Sequence, residues 1–209
     1  MKIRNLLAIG LFASVLTTFL GCSDGGDAGA ADVTGFQIYL DGDSKYNGSG
    51  VIRLEVYGSK GYEYIDIGTV KDGIGSLDFS ITIPSEYHQT PYKNSLSISP
   101  PNAKGVEAFS FYLISGNMAY ELQQRNENET EYVFFLYVPQ RVTVKGTETE
   151  YGFLFEFDIN AQQGWNAIYN KVTRTKEIYS TNPSTVNLSK MNWIMSYEGS
   201  ANGFGGPEI

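Results

Sequence analysis

Apolar and polar residues alternate along this chain in short runs separated by Gly, Asn, Asp and Pro. From Val51 to Tyr57, Ile52, Leu54 and Val56 alternate with Arg53, Glu55 and Tyr57. From Leu77 to Ile83, Leu77, Phe79, Ile81 and Ile83 alternate with Asp78, Ser80 and Thr82. Side chains two positions apart share one face of a strand, so each run has a dry face and a wet face. The same pattern predicts strands at Phe36 to Leu40, Tyr62 to Gly68, Ser95 to Ser99, Ala108 to Ile114, Met118 to Gln123 and Tyr132 to Val138. It predicts four more at Arg141 to Lys145, Phe153 to Ile159, Trp165 to Val172 and Met191 to Tyr197. No stretch carries a helical period, although Met118 to Arg125 is made of good helix formers. The expectation is an all-β fold, an antiparallel β-sandwich of about a dozen short strands, with two small sandwiches packed in tandem as the alternative.

Within that pattern some positions are more specific. Phe134, Leu136 and Val138 share their strand with Val133, Phe135 and Tyr137, so it is apolar on both faces and should be central. Ser115-Gly116-Asn117 and Asn126 to Glu129 read as hairpin turns. Residues 97 to 105, with Pro100-Pro101 and Asn102, mark a domain boundary or a sheet crossover. By alternation Ile52, Leu54, Val56, Phe79, Ile81, Phe155 and Phe157 should face the core, and Trp165 and Trp193 should anchor it. Residues 33 to 198 are thus the β-domain, followed by a glycine-rich flexible tail, 199 to 209.

The N-terminus follows other rules. Lys2 and Arg4 precede an apolar run from Leu6 to Leu20 that is shorter than a spanning helix and meets Gly21, Cys22 and a polar stretch. Residues 1 to 21 therefore read as a removable export signal. Phe19-Leu20-Gly21-Cys22 resembles the lipobox of bacterial lipoproteins, with Phe19 and Leu20 where leucine and a small residue are usual. The resemblance implies diacylation of Cys22 and cleavage before it. Cys22 is the only cysteine, so it has no intramolecular disulfide partner. Two acyl chains would hold the mature protein on a cell membrane or outer membrane, outside the cytoplasm. Residues 22 to 32 are Gly, Ala, Ser and Asp after Cys22, with no large apolar side chain to bury, and should form a flexible acidic tether.

Charge narrows the partners. Of 15 bases and 23 acids, Lys2 and Arg4 leave with the signal, so 13 bases face 23 acids and the mature charge is −10. Binding to nucleic acid is driven by Lys/Arg clusters on phosphate, so nucleic acid is excluded as a partner. The expected partners are the membrane, through the lipid on Cys22, and a glycan or an envelope protein. A non-enzymatic binding or structural role at the cell envelope is the reading; a carbohydrate-active or other hydrolytic enzyme using carboxylates is the alternative.

Ile67-Gly68-Thr69-Val70-Lys71-Asp72-Gly73 through Phe79-Ser80-Ile81-Thr82-Ile83-Pro84 resembles a recurring hairpin of transthyretin-like and carboxypeptidase-regulatory-like sandwiches. What it implies is a fold, since those modules accompany several activities.

Candidate chemistry is sparse. His88 is the single histidine and stands in a loop after Pro84 without a partner of triad type, so no catalytic residue is expected. No cofactor fingerprint occurs. Asp41, Asp43 and Asn47 offer oxygen ligands at alternating positions, but Lys45, Tyr46 and Ile52 occupy places where a calcium loop needs a ligand, a glycine and a glutamate. Aromatic residues are the unusual feature, 15 Tyr and 12 Phe. Tyr57 shares a phase with Arg53 and Glu55, and Tyr64 with Asp66, which makes both candidates for stacking on a sugar or a partner side chain.

Overall fold

A computed structural model describes residues 33–40, 44–58, 61–90 and 96–200. The signal, Cys22, the tether, Asp41, Asp43 and residues 201–209 lie outside them. The fold is all-β, with fourteen strands among the described residues. Among the described residues no helix is long and apolar enough to cross a membrane.

The first four strands are β1 (Val33–Leu40), β2 (Gly50–Gly58), β3 (Gly61–Lys71) and β4 (Ile74–Leu77). With β7 (Phe111–Ser115), β8 (Met118–Arg125) and β14 (Asn192–Ser200) they make a closed ring, in the order β14-β1-β4-β3-β2-β7-β8 and back to β14. Closure removes sheet edges. Three bulged registers bend the ring, at Thr34/Phe36, Ile52/Arg53 and Tyr197/Gly199. The β3–β4 turn is Asp72-Gly73, both with positive φ, and a Cβ on Gly73 would sit 1.8 Å from the Tyr46 carbonyl oxygen. Gly75 leaves room for the Phe36 ring, which lies 2.2 Å from where its Cβ would be.

The ring is filled from within. Phe36, Ile38, Ile52, Leu54, Val56, Ile67, Leu77, Phe111, Leu113, Leu122, Trp193 and Met195 belong to one buried cluster. Phe36 stacks on Trp193 at 4.4 Å. Such rings each bury a large apolar area.

The remaining strands form an open sheet. It runs β9 (Glu131–Val138), β12 (Gly164–Val172), β13 (Lys176–Ser180), β11 (Phe153–Ala161), β10 (Val142–Glu150) and β5 (Ser97–Ser99), with β6 (Val106–Ala108) beside β9. It joins the ring where the end of β8 pairs with the start of β9, Gln124 with Val133 and Arg125 with Tyr132. Two pairings are parallel, β1 with β14 and β11 with β13, so the sheet is mixed and not wholly antiparallel as expected.

β9 is central, as its two-faced apolar sequence requires. Val133, Phe135 and Tyr137 pack into the ring-side cluster, while Phe134, Leu136 and Val138 pack into a second cluster with Val142, Val144, Ile159, Ala161 and Ile168. Phe79 lies against Phe135 and Trp165, at 4.7 and 5.3 Å, which ties the two halves together. Trp165 and Trp193 are both buried anchors.

Several expectations are corrected. Leu77 to Ile83 is not one strand: β4 ends at Leu77, where the Asp78 carboxylate accepts from the Ser80 amide at 2.9 Å and turns the chain off the ladder. The polar alternation survives there as burial, with Phe79 and Ile83 inside, and the Ile81 carbonyl accepts from the Trp165 indole at 2.9 Å. The predicted strand from Ala108 to Ile114 splits at Phe109-Ser110, where the chain leaves β9 for the ring. The strand predicted at Met118 to Gln123 is present and runs on to Arg125, its helix propensity overridden by pairing on both edges. Residues 97–105 are a crossover, carrying the chain from β5 on the outer edge to β6 beside β9. Gly199 and Ser200, expected in a flexible tail, belong to β14. β13 was not foreseen.

Candidate binding surfaces

The outer face of the ring holds the tyrosines singled out by sequence. Tyr57 faces Tyr62 across the β2–β3 ladder, Glu55 faces Tyr64, and Arg53 faces Asp66 on one side and Tyr112 on the other. Tyr57 and Tyr62 are 55% and 67% exposed, with ring centroids 5.1 Å apart. The Tyr57 carbonyl also accepts from the Gln89 side chain at 3.2 Å, which fixes this end of the hairpin. Tyr64 is more committed. Its hydroxyl donates to Glu55 Oε2 at 2.7 Å, and its ring meets Tyr112 edge-on at 6.2 Å. Burial, then the hydrogen bond to Glu55 and its charge, push the Tyr64 hydroxyl pKa far above its usual value. It therefore stays protonated at any physiological pH and acts as a hydrogen-bond donor. Arg53 and Asp66 pair at 2.7 Å beside it.

The second surface lies on the open sheet. On its face away from the ring, Phe109 stacks on Phe134 at 4.5 Å, Phe134 meets Tyr179 edge-on at 5.9 Å, and Tyr179 stacks on Phe157 at 5.0 Å. Phe155 follows two residues along β11 on the same face, with Phe153 against it at 5.2 Å. Phe109 is 53% exposed, and Phe153, Phe155 and Phe157 are half-buried. Phe155 and Phe157 are expected in the core but are half-buried, Phe157 packing against the edge of the second cluster, whereas Val142 and Val144 are fully buried within it. Beneath the rings, the Glu177 carboxylate accepts from Asn170 Nδ2 at 2.8 Å and from the Tyr179 hydroxyl at 2.7 Å. Burial, and then that bond, raise the Tyr179 hydroxyl pKa well above its usual range. Sequence alternation placed these phenylalanines on one face; it could not show how much of that face a second layer covers.

The other candidates are placed as follows. Asn47 is exposed, and among the described residues no three His, Cys, Asp or Glu side chains are grouped to hold a metal. His88 is half-buried, its Nε2 2.8 Å from the Ile83 carbonyl oxygen and its ring 5.5 Å from Tyr137, so it braces the loop. An open hollow of about 580 Å³ lies between Glu131, Lys171 and residues 183–189. Its single carboxylate, Glu131, accepts from the Asn187 amide at 2.9 Å and from Lys171 at 3.0 Å, which hold its pKa below the usual carboxylate range. Two-carboxylate hydrolysis needs a second acid there.

No known protein family matches the chain, and no curated protein or solved structure is significantly similar to it.

Proposed function

We propose that this chain is a bacterial lipoprotein, diacylated on Cys22, whose β-domain serves as a non-enzymatic binding module at the cell envelope. The export signal ending at a solitary cysteine supports the anchor. The observation that carries the binding role is the exposed Tyr57–Tyr62 pair, two rings on a fixed hairpin that a sugar ring can stack on at little entropic cost. Tyr64, whose hydroxyl proton is committed to Glu55, adds an aromatic ring and an acceptor oxygen beside them. With a mature charge of −10, polyanions are disfavoured and neutral polysaccharides are the ligands to expect. The transthyretin-like resemblance adds a fold analogy without an activity; the β3–β4 hairpin carries its glycine turn, while Phe79 to Ile83 follows outside the ladder.

Two measurements test this. Mass spectrometry of membrane-extracted protein should find Cys22 as the N-terminus, carrying acyl mass, and Cys22→Ala should leave unprocessed precursor. A neutral polysaccharide should retain the protein at raised salt, and Tyr57→Ala and Tyr64→Ala should reduce that retention. Soluble mature protein without lipid would overturn the anchor, and equal retention in both variants would overturn the tyrosine site.

A further inference from the structure

The hollow beside Glu131 and Lys171 is walled by the chain that runs from β13 to β14. That chain makes two single turns of 3-10 helix, Pro183–Thr185 and Leu188–Lys190, and short polar side chains fix both. The Asn182 side-chain carbonyl accepts from the Ser184 amide at 3.0 Å and from its hydroxyl at 2.9 Å, and the Asn187 side-chain carbonyl accepts from the Ser189 hydroxyl at 2.7 Å. Between the turns, Val186 is buried and Leu188 is packed against the same ring-side cluster, while the Asn187 amide donates to Glu131. The wall is tied down along its length, so a ligand meets a shape already formed.

The chemistry of the hollow narrows what it can hold. Its volume of about 580 Å³ is that of a small-molecule site. A cation would meet Lys171 and an anion would meet Glu131, and either would compete with their 3.0 Å pair. Lys190 also acts on Glu131, but it is exposed and outside the lining, where solvent and salt screen it. A wholly apolar ligand would strip water from the ion pair and return no hydrogen bond. A neutral polyhydroxyl ligand avoids all three costs. The Glu131 carboxylate keeps acceptor positions after its bonds from Lys171 and Asn187, and the Lys171 ammonium keeps donors after its bond to Glu131. Acceptor and donor thus stand side by side, so of two adjacent hydroxyls on a sugar one donates and the other accepts. Pro183 and Leu188 add an aliphatic surface for the C–H face of the sugar ring.

We propose that this hollow binds a short neutral saccharide, adjacent hydroxyls on the Glu131–Lys171 pair and a ring face on Pro183 and Leu188. It shares its ligand class with the tyrosine reading and to that extent rests on it. It differs in taking the sugar by its hydroxyls in a hollow, not by stacking on exposed rings, and no residue is common to the two sites.

The test titrates the full chain, in a detergent without sugar headgroups, with maltotriose, mannotriose and chitotriose, and with trigalacturonate and the glucosamine trimer as charged arms. At least one neutral trisaccharide should bind, about tenfold or more tighter than either charged arm. Lys171→Met should weaken that binding about tenfold, the loss of a charge-assisted hydrogen bond, and Lys171→Arg should restore most of it. Lys145→Met, which removes an exposed lysine from β10, should change it less than about twofold. Thermal melting of every variant separates loss of fold from loss of site. The tenfold loss should recur when Lys171→Met is made in a Tyr57→Ala background, so the hollow is read whether or not the tyrosine pair holds glycan. A loss that needs Tyr57 would place the sugar on the tyrosine pair and overturn the hollow. So would no binding of any neutral trisaccharide, tighter binding of a charged arm, or undiminished binding by folded Lys171→Met.

Discussion

The ring and the open sheet are built from the same alternating strands but end differently. In the ring, β14 pairs with both β8 and β1, and every inward side chain meets another across the interior. In the open sheet, β5 covers β10 only from Thr143 to Lys145, and the apolar cluster under Leu96 and Ala103 gives way to half-exposed rings at Phe157, Phe155 and Phe153. The difference teaches where each half spends its aromatic residues. Inside the ring, Phe36, Phe111 and Trp193 contribute packing; on the open sheet, Phe153, Phe155 and Phe157 stay half-buried.

The largest effect that could break this comparison is on stability. Trp193→Ala should cost about 3–5 kcal/mol in urea unfolding, whereas Phe155→Ala on the half-exposed face should cost about 1 kcal/mol. Equal losses would mean that the open face is closed in solution.

Next come the two hairpin glycines. Gly73 and Gly152 both have positive φ, 79° and 81°, but only Gly73 is crowded, since nothing lies within 4 Å of a Cβ on Gly152. Gly152→Ala should therefore lose about 1 kcal/mol for the left-handed backbone alone, and Gly73→Ala about 2–3 kcal/mol because the Tyr46 carbonyl must also move. Chemical denaturation of the pair separates backbone strain from collision.

A third test concerns pH. Glu131 joins β9 to β12 and to the loop leading to β14, and its folded pKa is lowered by the Asn187 amide and by Lys171. Its contribution is thus fully present above the unfolded carboxylate value of about 4.3 and is lost as pH falls through the folded value. Glu131→Gln should cost about 1–2 kcal/mol at neutral pH and much less in acid, seen in unfolding curves across that range. The smallest effect is expected at Tyr57→Ala, within about 0.5 kcal/mol, since that ring is mostly in solvent.

What sequence showed and what it missed have a common physical origin. Alternation reports which residues share a face, so the inward positions of β2, the two-faced character of β9 and the buried Trp165 and Trp193 were legible. It does not report what lies opposite a face, so Phe155 and Phe157 read as core. Nor does it report pairing partners: ring closure by β14, and the parallel pairing of β13, join residues far apart in the chain. The strand expected through Ile83 failed on a local contest, in which the Asp78 side chain captured the Ser80 amide that a ladder would have used. Tyrosine on a polar phase stands out, and Tyr57 lies exposed on the outer face that its phase indicates; the phenylalanine row does not stand out, because phenylalanine on an apolar phase reads as buried.

Native-state hydrogen exchange resolved by residue tests the unequal closure of the two halves most directly. The amides of Ile52, Leu54, Leu113 and Leu122 should exchange only through global unfolding, while those of Thr147 to Glu150 and Phe153 to Phe157 should open at several kcal/mol less. Uniform protection across both groups would contradict the account.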